Sequence, residues 1–387
     1  MRVGLVHPSL NRIGGAEAVF LEMIKALRES GHEVKIYTID RVNWEKLGED
    51  LRDQAVPGNE IYLFSNSHFV KGSFYDLILL AFSYLRLLFK AKNSGDDLSI
   101  NNYGEIFPSV ADFSYIHSVP LIAFSGGRAD NPLQIPFWRM TSRLYALLYC
   151  LLEKITESSI IITNSRYNAD IIKRHTRKTP LILHPPVTPS TTPCDISKKE
   201  KMILTVSRIN SKKNLTIIPD IAEKVDGECK FVLMGRTDER SAAVIEEIQE
   251  SSRELGVADR LDVVFDPDRS KIDEAYKKAV VYLSTQPSEA FGMAVVEAMA
   301  AGCVPVVPRD GGPWFDILDG RQGRFGFSFT NPEHAAKLIG RILSNENLRN
   351  EISERARRRA REFNSSVFRA KFLELIEAFH EGTSGFR

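Results

Sequence analysis

Four charged side chains in the second half of this chain, Arg208, Lys213, Glu289 and Glu297, could together hold a ligand that is anionic at one end and rich in hydroxyls at the other. Glu289 stands in Pro287-Ser288-Glu289-Ala290-Phe291-Gly292-Met293, after an apolar run that reads as a strand and before one that reads as a helix stopped by Gly302. This order predicts Gly292 at a helix N-terminus on the carboxyl edge of a parallel sheet, where backbone N–H groups suit a diphosphate. Glu297 follows about one turn inside the helix, so both carboxylates can flank one crevice and accept from hydroxyls. Taken alone, the pair fits equally well a helix-start acid favoured by the dipole and a solvated helix residue. Arg208 and Lys213 lie in the Ser207 to Asn214 loop, which follows the first strand of the same half and precedes a helix. Arg offers a diphosphate a planar fork and Lys a point charge. As isolated cations they would simply be solvated; what joins them to the glutamates is that both loops fall on one predicted sheet edge.

The first half offers less. Gly14-Gly15-Ala16-Glu17 follows the opening strand, and His117 closes a later strand in Ser114-Tyr115-Ile116-His117. A double glycine before a helix is a common turn, and a lone His at a strand end is more often structural. Asp40, at the end of the second strand, keeps an NAD(P)-dependent Rossmann dehydrogenase open as a rival, although no G-x-G-x-x-G is present.

The elements that would position these residues form two βα series. Strands are expected at Arg2 to His7, Val34 to Thr38, Leu98 to Ile100, Phe113 to Ile116 and Ile160 to Thr163, with a helix from Ala16 to Ser30 carrying the stripe Val19, Phe20, Met23, Ile24 and Leu27. After the Pro-rich passage from His184 to Pro189, strands restart at Met202 to Val206, Phe231 to Met234, Leu261 to Phe265, Val280 to Ser284 and Val304 to Val307. The expected organisation is therefore an N-terminal Rossmann-like domain over 1–184, a linker over 185–200, a C-terminal Rossmann-like domain over 201–362 and a last helical segment over 363–387 that packs back on the first domain. A length of 387 residues suits two such cores. A formal net charge of +1 gives no general attraction to nucleic acid, and four widely spaced cysteines suggest neither a disulfide framework nor a zinc site. The N-terminus lacks the pattern of a signal peptide, so a cytoplasmic location is expected.

These motifs resemble the retaining glycosyltransferases of family 4, which have the GT-B fold of two Rossmann-like domains facing a central cleft. Ser-Glu-Ala-Phe-Gly with the second Glu at 297, then Ala-Met-Ala-Ala-Gly and Asp310-Gly311-Gly312-Pro313, match the family's E-x7-E signature and the loop after it. Arg208 and Lys213 match its diphosphate-binding pair, with Asn214 where many members have Gly. The resemblance implies Glu289 at the donor sugar, Glu297 at the ribose, the backbone of Phe291, Gly292 and Met293 at the sugar and phosphate, and residues 265–267 near the base. It also implies Gly14 and Gly15 beside the donor phosphate, and His117 near the transferred sugar. Front-face transfer without a bound metal is implied: the leaving diphosphate takes the acceptor's proton while Arg208 and Lys213 stabilise its charge. Tyr-Ile-His and Gly-Gly-Pro resemble mannosyltransferases of lipid-linked oligosaccharide assembly, which points to GDP-mannose and a glycan or lipid-linked acceptor. Two aromatic, basic stretches, Phe74 to Phe89 and Pro136 to Leu152, would then touch an anionic membrane at its cytoplasmic face, the alternative being ordinary core helices. A non-catalytic sugar-nucleotide-binding protein of the same fold is the other rival.

Overall fold

The computed structural model describes residues 1–11, 14–47, 59–65, 74–118, 159–176, 178–188 and 199–381. Most of the expected linker and the whole Pro136 to Leu152 stretch lie outside these residues. The chain divides into two compact units, Met1–Pro186 with Ser365–Arg387, and Val187–Asn364.

In the first unit, strands β1 (Arg2–Val6), β2 (Glu33–Asp40), β3 (Glu60–Phe64), β4 (Leu98–Asn101), β5 (Phe113–Ile116), β6 (Ile160–Thr163) and β7 (Leu181–Ile182) form one sheet in the order β3-β2-β1-β4-β5-β6-β7. All its pairings are parallel; Val3, for example, stands opposite Val34 on one side and Leu98 on the other. The continuous apolar runs follow from helices covering both faces, which leave a central strand no solvent side. Helix α1 (Gly15–Glu29) buries Val19, Phe20, Met23, Ile24 and Leu27. Phe368, Phe372 and Ile376 of the last helix, Ser365–His380, join the same core, and Arg369 reaches Glu22 of α1 at 3.1 Å. Helix α2 (Phe74–Lys92) covers the other side through Tyr84, Leu87, Leu88 and Ala91.

In the second unit, β8 (Glu200–Val206), β9 (Lys230–Gly235), β10 (Leu261–Phe265), β11 (Ala279–Leu283), β12 (Val304–Pro308) and β13 (Phe327–Phe329) form a parallel sheet in the order β10-β9-β8-β11-β12-β13. Strand order reverses between β8 and β11. The loops leaving these two strands diverge to opposite faces and open a crevice at their carboxyl ends, the place where doubly wound sheets take ligands. The buried backbones of β11 and β12 anchor it. Three short strands, β3, β7 and β13, were not anticipated from the sequence.

Candidate donor site

The loop after β8 is fixed before it reaches the crevice. Ser207 N donates to Met234 O at 3.0 Å and Ile209 N to Arg236 O at 2.9 Å, tying the strand exit to β9. Ile209 is fully buried, and its carbonyl accepts from Ser241 Oγ at 2.6 Å. Arg208, between two anchored residues, is left exposed, and among the described residues it makes no ion pair. A short turn over Ser211–Lys213 then ends at Asn214, whose φ of 50° lies in the left-handed region. This explains the departure from the family pattern: Asn is among the few side chains that tolerate a conformation for which Gly is the default. Thr285 Oγ1, past the end of β11, donates to Lys213 O at 2.7 Å and so stitches the two loops across the switch point.

Lys213 and Glu289 meet there. Lys213 Nζ donates to Glu289 Oε2 at 2.7 Å, with each side chain about one-fifth exposed. The sequence assigned them to different parts of a ligand; the structure makes them one unit. An ammonium has three donors and an ionised carboxylate about four acceptor positions, so each retains capacity for phosphate oxygens and sugar hydroxyls respectively.

The Glu289 loop is held from behind by the loop after β12. Ser288, at φ 54°, donates to Asp310 Oδ2 through both its N–H (2.9 Å) and its hydroxyl (2.7 Å). Gly312 N donates to Glu289 O at 2.7 Å. The two backbones run so close that a Cβ on Gly311 would stand 2.6 Å from Glu289 O, and one on Gly312 would stand 2.3 Å from Ala290 O. The Asp-Gly-Gly-Pro sequence is therefore the backing of the loop that carries Glu289. Gly292, at φ 95°, caps helix α3 (Met293–Ala300). The first N–H groups of such a helix have no partner within it and carry the positive end of its dipole. The Phe291 ring turns inward, buried against Phe363 at a centroid distance of 5.4 Å, so only its backbone faces the loop.

Glu297, on the same helix, is 18% exposed. Its Oε1 accepts from Arg269 Nη1 at 2.7 Å and its Oε2 from the Tyr276 hydroxyl at 3.1 Å. Neither partner was singled out in the sequence. Both come from helix α4 (Arg269–Lys278), and only the folded sheet brings that helix to Glu297. The expected base region follows β10: Phe265 is 44% exposed, and Asp266 is tied to Thr237 N and Oγ1 at 2.9 and 2.6 Å.

In the first unit, Gly14 caps α1 in an extended conformation and Gly15 is the first helical residue. His117 N and Ser118 N both donate to Glu105 Oε1 at 2.8 Å. His117 Nε2 lies 2.8 Å from Asn102 O, which can only accept, so this nitrogen carries the proton. Burial lowers the His117 pKa to about 4 and leaves the ring neutral. Two buried groups beside it were missed from the sequence. His7, at the exit of β1, is lowered to about 3 by burial and by His117. It stays neutral, so the 3.8 Å approach of Glu17 Oε1 to its Nε2 is not an ion pair. Burial raises Glu105 to about 7. Asp40 is committed elsewhere: its Oδ2 accepts from Ser9 Oγ and Asn11 Nδ2 at 3.0 and 2.9 Å, bracing the loop after β1 rather than presenting a carboxylate to a ribose.

Residues 193–359 match the family model for glycosyl transferases group 1. The chain carries a group 1 glycosyl transferase domain. It spans the loops that carry Arg208, Lys213, Glu289 and Glu297, and it favours the transferase over the dehydrogenase that Asp40 had kept open. A GDP-Man:Man(3)GlcNAc(2)-PP-Dol alpha-1,2-mannosyltransferase of Neurospora crassa is 24% identical over 97% of this chain and 79% of its own length. The Yarrowia lipolytica alpha-1,3/1,6-mannosyltransferase ALG2 is 23% identical over 82% of this chain and 79% of its own length. A Dictyostelium discoideum relative with the same description as the Neurospora protein reaches 28% identity over 46% of this chain, which spans 37% of that relative. Among solved structures, Anabaena HepE in complex with UDP and glucose is similar with a TM-score of 0.72 at 18% identity, covering 98% of this chain and all of that one. WaaG, a glycosyltransferase involved in lipopolysaccharide biosynthesis, gives 0.69 at 15% identity, covering 97% and 99%. The fold is GT-B, each unit a Rossmann-like domain.

Proposed function

We propose that the glycosyl transferase domain moves mannose from GDP-mannose, with retention of configuration, to a lipid-linked glycan. The observation that carries this is the Lys213–Glu289 pair at the switch point, beside the N-terminus of α3 and the exposed Arg208. Cations and helix dipole suit a diphosphate leaving group, and a carboxylate held beside them suits the hydroxyls of the sugar that departs from it. His117, neutral and with its proton committed to Asn102 O, would orient the sugar rather than act as the base; the leaving diphosphate takes the acceptor's proton. Arg208 and Lys213 would supply the charge that a divalent ion otherwise brings. The mannosyl donor and the lipid-linked acceptor rest on similarity to the Neurospora and Dictyostelium GDP-Man:Man(3)GlcNAc(2)-PP-Dol alpha-1,2-mannosyltransferases.

A membrane contact fits the acceptor. On α2, Leu79 and Phe82 are 52% and 64% exposed, and Arg86 and Lys90 follow them on the same exposed face. Two apolar side chains beside two cations suit the interface of an anionic bilayer. Lys92, at the end of the same helix, pairs with Asp112. Among the described residues no helix is long and apolar enough to cross a membrane.

A screen of GDP-mannose, UDP-glucose and UDP-galactose with a prenyl-linked acceptor, in the presence of EDTA and with the product anomer assigned by NMR, tests the reading. The expected result is an α-mannoside from GDP-mannose alone. A β-linked product, transfer only from UDP-sugars, or activity that requires added magnesium or manganese would overturn the corresponding part.

A further inference from the structure

Glu297 is held by two donors from one helix. Arg269 is the first residue of α4 and Tyr276 lies seven positions later, so both project from the same face, two turns apart. They grip the two oxygens of the Glu297 carboxylate separately, Arg269 at Oε1 and Tyr276 at Oε2. The grip is itself braced: Arg269 Nε stands 2.9 Å from Asp273 Oδ1, and Asp268 caps the helix by accepting from Lys271 N at 2.9 Å. Tyr276 is buried, with its ring 6.1 Å from that of Tyr282. A glutamate has three side-chain torsions, and a carboxylate clamped at both oxygens has lost its freedom before a ligand arrives. Each oxygen can accept a second hydrogen bond. The two vacant positions are separated as the two oxygens are, which matches the adjacent hydroxyls of a ribose.

We infer that Arg269 and Tyr276 are positioning residues that preset the Glu297 carboxylate for the two ribose hydroxyls of the donor nucleotide, and so set its preference for ribo- over deoxyribonucleotides. This rests on the reading of Glu297 as the ribose acceptor. An ion pair with one half-exposed partner contributes little to folding, so the Arg269 contact is better explained by what it does to Glu297 than by stability.

The test is the ratio of affinities for GDP and 2′-deoxy-GDP, measured by calorimetry on the full chain. The wild type should prefer GDP by about tenfold or more, the worth of one hydrogen bond to a charged group. Glu297→Ala should bind both equally. Arg269→Ala and the volume-conserving Tyr276→Phe should each bring the ratio down to about threefold, as one ordered side chain regains its freedom, with an unchanged melting temperature for Tyr276→Phe. If both variants bind GDP more weakly but keep the wild-type ratio, the inference fails while Glu297 remains the ribose acceptor. Should Arg269→Ala bind GDP more tightly, its guanidinium covers the carboxylate instead of presenting it, and the inference fails again. A wild type that does not discriminate overturns the ribose reading and the inference with it.

Discussion

Replacing Gly312 by Ala tests whether the Asp-Gly-Gly-Pro loop backs the donor site. Gly312 has φ −56°, which any residue adopts, so the substitution brings no backbone strain and its effect is purely steric. The new Cβ would lie 2.3 Å from Ala290 O and 2.7 Å from Phe291 Cα, both of them backbone atoms that cannot rotate away. Ordinary contact begins at 3.4 Å, so the Glu289 to Phe291 segment must retreat by about 1 Å. Overpacking of this kind costs about 1–3 kcal/mol of stability. A displacement near 1 Å of groups that orient a reacting sugar costs roughly a hundredfold in turnover. Gly320→Ala is the matched control: at φ 62° with nothing within 4 Å, it pays about 1 kcal/mol of backbone strain and moves no site residue. Turnover of the two variants under saturating donor, with thermal unfolding alongside, separates the cases. A Gly312→Ala enzyme that turns over like Gly320→Ala would refute the backing role.

Two further outcomes follow from the first unit. His7 and His117, lowered to about 3 and 4, contribute stability that is present above pH 6.5 and lost as pH falls toward 4, because the unfolded chain then binds their protons more readily. Glu105, raised to about 7, has the opposite sign: its contribution is full below its unfolded value of 4.5 and is lost as pH rises through 7. The stability difference between Glu105→Gln and the wild type, from urea unfolding, should therefore change by about 1.4 kcal/mol per pH unit between about pH 5 and 7, where the unfolded chain has ionised this carboxyl and the folded one has not, and level off above pH 7; a difference that does not vary with pH would contradict the buried-acid account. Flotation with anionic liposomes at low salt should carry the wild type, and Phe82→Ser with Arg86→Gln and Lys90→Gln should release it without lowering its melting temperature; a wild type that stays unbound removes the membrane contact.

Much of the candidate site was legible because it is local in sequence. Glu289, Gly292 and Glu297 sit within nine residues of one strand–loop–helix passage, and the period and caps of that passage placed Gly292 at the N-terminus of α3. Arg208 and Lys213 were legible for the same reason, following a buried strand directly. What could not be read is what the sheet brings together across long sequence separations. Arg269 and Tyr276 reach Glu297 from another helix, and Asp310 reaches Ser288 from another loop. No periodicity encodes such pairings. The missed strands have a different cause: β7 has two residues and β13 three, too short to show alternation, and β3 is a sheet edge with mixed exposure.

If Arg208 and Lys213 hold the donor diphosphate at the crevice between β8 and β11, removing both side chains must cost affinity for the nucleotide. Calorimetry of GDP with the wild type and with the Arg208→Ala/Lys213→Ala double variant addresses it directly, with circular dichroism confirming the fold. Two charge-assisted contacts at about 1.5–3 kcal/mol each predict a loss of at least a hundredfold in affinity, and transfer from GDP-mannose should vanish with it. GDP bound by the double variant within a few-fold of the wild-type affinity would place the diphosphate elsewhere and contradict the account.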